Sequence, residues 1–113
     1  MVHILNGIGH FDITGPESGV LEQFYAGVFD WQVDRKGPGY ALLNTPEGTP
    51  DGAVSEAEAA GIVIGIVVPD LEEALDKVLR AGGQIVMPVT DNGWVRKAQV
   101  ADPAGNRLTL IAA

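Results

Sequence analysis

Apolar and polar positions alternate in two rhythms along this chain, and the order of those rhythms occurs twice. His10-Phe11-Asp12-Ile13 alternates as a half-buried strand does, with Phe11 and Ile13 on one side and His10 and Asp12 on the other. Thr14-Gly15-Pro16-Glu17 supplies helix-start signals, and Val20, Leu21, Phe24, Tyr25 and Val28 follow at helical spacing, predicting one apolar stripe laid on a sheet. Trp31-Gln32-Val33 and Tyr40-Ala41-Leu42-Leu43 read as strands joined by the turn Gly37-Pro38-Gly39, and Asp51 to Ser55 as a short fourth strand. Glu56 to Ala60 is the best linker candidate.

The second pass begins at Ile62. The run to Val68 is apolar on both faces, as a fully buried strand is. Asp70-Leu71-Glu72-Glu73 opens a helix whose stripe is Leu71, Ala74, Leu75, Val78 and Leu79, and Gly82-Gly83 stops it. Gln84 to Met87, ended by Pro88, is the next strand. Trp94 to Ala101 and the run after Asn106 are the last two. The expectation is an α+β fold of two βαβββ modules, about residues 7–56 and 61–113 of a single domain spanning 1–113. Phe24 and Val28 superpose on Leu75 and Leu79 at an offset of about 51. Each module covers one face of a small sheet with its helix. A curved mixed sheet around a shared cup, helices outside, is the predicted architecture, and the cup is where a ligand belongs.

Composition narrows the chemistry. The chain of 113 residues is 46% hydrophobic and 19% charged, an ordinary globular balance. It has no cysteine, which excludes disulfides, thiolate metal sites and cysteine nucleophiles and fits a reducing cytoplasm. Met1 to Leu5 lacks the basic start and long apolar run of a signal peptide, and no stretch approaches the ~18 apolar residues of a membrane helix. A net charge of −8 argues against nucleic acid and permits a cationic ligand. There is no nucleophile elbow, phosphate loop or His-Glu-x-x-His helix.

Five stretches together resemble the vicinal oxygen chelate superfamily of glyoxalases, extradiol dioxygenases and bleomycin-resistance proteins. They are Gly9-His10-Phe11-Asp12-Ile13, Phe24 to Trp31, Val68-Pro69-Asp70-Leu71, Ala81-Gly82-Gly83 and Asp102-Pro103-Ala104-Gly105-Asn106. The resemblance implies metal ligands on the first and last strand of each module, which fall on His10, Ser55, Ile64 and Thr109. Of these only His10 is a good donor, although a strand register slipped by one would add Glu56. The expectation is therefore no metal cofactor, with Zn, Ni, Mn or Fe as the less favoured alternative. The resemblance also implies a homodimer.

Candidate ligand-binding residues are His10, Asp12, Tyr40, Ser55, Ile64, Trp94 and Thr109. His10 is either a hydrogen-bond donor or general base, or a histidine satisfied within the sheet. Asp12 either orients His10, binds a cation or is simply solvated. Trp94 offers a surface on which a planar ligand stacks. Arg107 shares the parity of Thr109, and Arg96 and Gln99 have opposite parities, of which at most one faces the cup. Two kinds of function follow. One is a metal-free protein that binds or sequesters a drug or metabolite, as in antibiotic resistance. The other is an enzyme, either metal-dependent of glyoxalase or dioxygenase type, or a metal-free isomerase or lyase using His10 and Asp12.

Overall fold

A computed structural model describes residues 4–113, so Met1 to His3, the start of the leader reading above, lie outside the described residues. The elements are β1 (Ile8–Gly15), α1 (Ser18–Phe29), β2 (Gln32–Gly37), β3 (Tyr40–Asn44) and β4 (Asp51–Glu56), then β5 (Gly61–Val68), α2 (Leu71–Arg80), β6 (Gln84–Asp91), β7 (Arg96–Ala101) and β8 (Arg107–Ala112). This is the α+β, twice-repeated βαβββ pattern. The chain divides into two compact units, His10–Val63 and Ile64–Ala113, the second joined by the described residues before His10. Asn6 N–H donates to Val67 O and Val67 N–H to Gly7 O, which ties that leading segment to β5.

In the first unit the strands lie in the order β2-β3-β4-β1. β1 and β4 run parallel, with Asp12 opposite Ala53 and Thr14 opposite Ser55, while β3 is antiparallel to β4 with Tyr40 opposite Ser55. The alternation read from His10 to Ile13 holds. Phe11 and Ile13 pack with Leu43, Val54, Leu21, Tyr25 and Trp31 on the helix side, which leaves His10 and Asp12 on the other side. Trp31 stacks on Tyr25 at 5.7 Å between ring centroids and is a core residue.

Two expectations for this unit change. Thr14 and Gly15 belong to β1 rather than to the helix start, and Glu17 is the N-cap residue without a side-chain cap. The Glu56 carboxylate does that work instead, accepting from Ser18 N and Ser18 Oγ at 3.4 Å. The stripe of α1 is also rotated. Leu21 and Tyr25 turn inward beside Ser18 and Glu22, whereas Val20, Phe24 and Val28 face out. The inward Glu22 is held by Arg35 of β2 at 2.7 Å, and a charge so paired can replace an apolar side chain at a buried helix position.

The second unit has the order β5-β8-β7-β6. Asp70 caps α2, accepting from Glu73 N at 3.0 Å, and Glu73 pairs with Lys77 at 3.1 Å. Gly82 takes φ +90°, the left-handed conformation that ends α2. Leu71 and Leu75 pack on Val68, Ala98, Val100 and Leu110. β6 does not stop at Pro88 but runs through it. It is the outermost strand of its unit, where a missing N–H costs no ladder bond, and the register shifts on both sides of Met87.

The Asp102–Asn106 turn closes as its residues dictate. Asp102 accepts from the backbone of Ala104 and Asn106 and from the Asn106 amide, and Gly105 sits at φ +98°. These bonds, that from the Asn106 side chain first, hold the Asp102 carboxyl below the usual carboxylate range.

Candidate functional site

The helix-free side of the first unit gathers His10 and Asp12 from β1, Tyr40 from β3 and Ser55 from β4. They meet there because β1, β4 and β3 are adjacent and each residue has the parity opposite to the helix-packed row. His10 Nε2 lies 3.2 Å from Asp12 Oδ1, with both side chains about one third exposed. With Nε2 as donor to the carboxylate, Nδ1 carries the free lone pair. Tyr40 titrates above the ordinary phenol range, chiefly because partial burial disfavours the phenolate and secondly because Asp12 is charged nearby. Its hydroxyl is therefore a neutral donor at physiological pH. Ser55 stands between Tyr40 and Thr14 in the ladder. Thr14 Oγ1 donates to Ala59 O at 3.1 Å, so that hydroxyl is engaged in the chain connection.

Glu56 has the opposite parity to Ser55. Its carboxylate is committed to Ser18, so the slipped register that would have made it a metal donor does not occur.

The remaining candidates belong to the second unit. Thr109 is buried on the helix-free side, opposite Gly65 on β5 and Gln99 on β7. Ile64 does not share that side. It pairs with Leu108 and has the parity of Ile66, which packs on α2. A strand apolar on both faces carries no parity signal, and the expected equivalence with His10 was one residue out of phase. Val63, Gly65 and Val67 have the helix-free parity on β5. Arg96 is on the helix side, ion-paired to Glu72 of α2, and this leaves Gln99 on the helix-free side. Sequence reasoning could not choose between the two, and the signal that decides is the helix-packed Ala98 and Val100. Arg107 is exposed opposite Ala101. Trp94 is 84% exposed at the tip of the β6–β7 hairpin, where Asn92 Oδ1 accepts from the backbone of Trp94 and Val95. Trp94 is thus placed apart from the core, on a turn held by its own side-chain bonds.

The sequence model of the Glyoxalase/Bleomycin resistance protein/Dioxygenase superfamily matches residues 7–110. The chain belongs to that superfamily. A search of curated proteins finds no match. Among solved structures, methylmalonyl-CoA epimerase from Mycobacterium tuberculosis is similar at a TM-score of 0.75 and 15% identity, over 99% of this chain and 91% of that one. The Mn(II)-bound glyoxalase from Novosphingobium aromaticivorans is similar at 0.74 and 16% identity, over 98% of this chain and 40% of that one. A superfamily member from Vibrio splendidus is similar at 0.71 and 16% identity, over 91% and 96%. These likenesses establish the fold.

Among the described residues, the positions to which the resemblance assigns metal ligands do not supply the donors of a divalent site. Ser55 and Thr109 offer neutral hydroxyls, β5 offers Gly65 and Val67, and Glu56 is engaged elsewhere. Among the described residues, no three His, Cys, Asp or Glu side chains converge, whereas a catalytic divalent site usually takes three protein ligands. No helix among the described residues is long and apolar enough to cross a membrane.

Proposed function

We propose that this superfamily member is a metal-free small-molecule-binding protein. In this reading it sequesters a drug or metabolite bearing a cationic group, and it acts as a homodimer in the cytoplasm. The observation that carries the reading is the His10–Asp12 pair beside Tyr40, a carboxylate and two hydrogen-bonding rings that no third metal donor joins among the described residues. Asp12 supplies the negative charge for an ammonium or guanidinium group. Tyr40 and Ser55 supply neutral hydroxyls that fix its orientation. Within the second unit taken by itself, Trp94 offers a ring on which a planar group stacks and Thr109 a neutral hydroxyl. The net charge of −8 favours the approach of a cation.

The test pairs metal analysis with titration. Protein purified without chelator is expected to hold no stoichiometric metal. Titration with bleomycin and with a panel of aromatic amines and aromatic carboxylates should give saturable binding by amines only, lost in Asp12→Asn and His10→Ala. Stoichiometric metal that disappears in His10→Ala overturns the reading.

The same hydrogen bond favours one second reading, a metal-free isomerase or lyase. Asp12 would hold the imidazole through Nε2 so that Nδ1 takes a proton, with Tyr40 as proton donor. Solvent deuterium entering a carbonyl substrate next to its carbonyl, abolished by His10→Ala, would establish it.

A further inference from the structure

The dipeptide Asn-Gly occurs twice in this chain, at Asn6-Gly7 and at Asn92-Gly93. In such a pair no Cβ shields the glycine nitrogen, which can approach the carboxamide carbon of the asparagine before it. The two copies differ in their surroundings. Gly7 N–H donates to Ile4 O at 3.1 Å, a neutral carbonyl that takes up no proton. Gly93 N–H donates to Asp91 Oδ1 at 2.8 Å, a carboxylate. The other oxygen of Asp91 faces Arg96 Nε at 3.9 Å, which leaves Oδ1 to the glycine. Asn92 Oδ1 accepts from Trp94 N–H at 3.2 Å and from Val95 N–H at 2.9 Å. Two donors on one carbonyl oxygen draw charge from the carboxamide carbon and stabilise the oxyanion formed when a nucleophile adds there. The tip between β6 and β7 thus joins a nucleophilic nitrogen, a base for its proton and a cradle for the oxyanion. Asp91 to Trp94 are all exposed, so water reaches them.

We infer that the β6–β7 tip is a self-modification site, at which Asn92 closes onto the Gly93 nitrogen and is hydrolysed to aspartate and isoaspartate. Gly93 N attacks Asn92 Cγ while Asp91 takes the N–H proton. The oxyanion at Oδ1 is held by the Trp94 and Val95 N–H groups. Its collapse breaks the bond from Cγ to the side-chain nitrogen, which leaves as ammonia with the proton that Asp91 carried. A cyclic imide remains, and water opens it. Breaking the new Cγ–N bond gives aspartate. Breaking the bond from the Asn92 backbone carbonyl carbon to the Gly93 nitrogen gives isoaspartate. Overall one water is consumed and one ammonia released, and nothing is oxidised or reduced. Aspartate keeps the acceptor that holds Trp94 and Val95. Isoaspartate routes the main chain through the former side chain, which lengthens the turn by a methylene and removes that acceptor. Either product adds one negative charge to a chain of net charge −8. The turn that presents Trp94 is therefore altered irreversibly as the protein ages.

Incubation of the full chain at neutral pH, followed by peptide mass mapping with isoaspartate detection, reads both Asn-Gly sites in one sample. In the folded protein Asn92 should convert about tenfold faster than Asn6 or more, a modest share of what a positioned base contributes. In guanidinium the turn is gone, and the two sites should convert at similar rates. Asp91→Ala should slow Asn92 in the folded protein toward the rate of Asn6 and leave Asn6 unchanged. Equal rates at the two sites in the folded protein overturn the proposal, and so does an Asn92 that converts faster unfolded than folded. Wild-type conversion in a folded Asp91→Ala variant overturns it too. Aspartate formed without isoaspartate does the same, because direct hydrolysis by water bypasses the imide.

Discussion

The Phe11 ring lies directly on the bare backbone of Gly52, so that a Cβ at position 52 would collide with the ring. The two residues are opposite one another in the β1–β4 ladder. Phe11 also separates His10 from Asp12, so the depth to which its ring sinks on the helix side sets how both site residues stand on the other. Gly52→Ala forces the ring or the strand to move and is expected to cost about 1–3 kcal/mol. Urea unfolding measures it. Phe11→Leu in the same chain should recover part of the loss, because the smaller side chain leaves room for the methyl group. A Gly52→Ala variant with unchanged stability would mean that the contact is slack.

Tyr40 provides a pH signature of the site. Its pKa is raised by burial first and by Asp12 second. The folded protein therefore holds the phenolic proton more tightly than the unfolded chain does. The associated stabilisation is complete below the unfolded tyrosine pKa and is lost as pH rises through the higher folded value. Asp12→Asn removes the second cause and keeps the first. The phenolate absorbance titration of Tyr40, isolated in a Tyr25→Phe background, should shift to lower pH in that variant without returning fully to the ordinary tyrosine range. No shift on Asp12→Asn would separate Asp12 from Tyr40 electrostatically.

Most of the fold could be read from local signals, and the failures have local causes. The αL glycines Gly48, Gly82 and Gly105 stand where the turn residues demand them, and the Asp70 cap forms as its spacing predicts. His10 and Asp12 were readable because β1 alternates cleanly. Ile64 was not, because β5 is apolar on both faces and its phase is set only by pairing with β8. The stripe of α1 departs from its apolar periodicity for a different reason. Apolar periodicity cannot register that a carboxylate will be drawn inward, and Glu22 turns in because Arg35, thirteen residues later on another element, meets it.

That Glu22–Arg35 pair should be costly to break from one side. The Glu22 side chain is only 6% exposed, while that of Arg35 is largely in solvent. Arg35→Met leaves a buried carboxylate without its partner and is expected to destabilise by about 2 kcal/mol. Glu22→Leu combined with Arg35→Met removes the stranded charge and should restore most of the stability. Thermal and denaturant unfolding of the two single variants and the double variant give the coupling directly. Additive losses would mean that the two residues act independently.

Ile64 provides the corresponding test in the second unit. Its side chain has the parity of Ile66 and is opposite Leu108, both of which pack with the α2 core. Truncation should therefore be felt as lost packing. Ile64→Ala is expected to cost about 2 kcal/mol, below the upper range for core truncations because the residue is only partly buried. Methyl NMR locates the disturbance. The signals of Leu108 and Leu110 should move, while the Thr109 methyl and Gln99 amide signals, on the helix-free side, should stay near their original positions. If the Thr109 and Gln99 signals move and the leucine methyls do not, Ile64 faces the helix-free side after all, and the one-residue phase difference between β1 and β5 is lost.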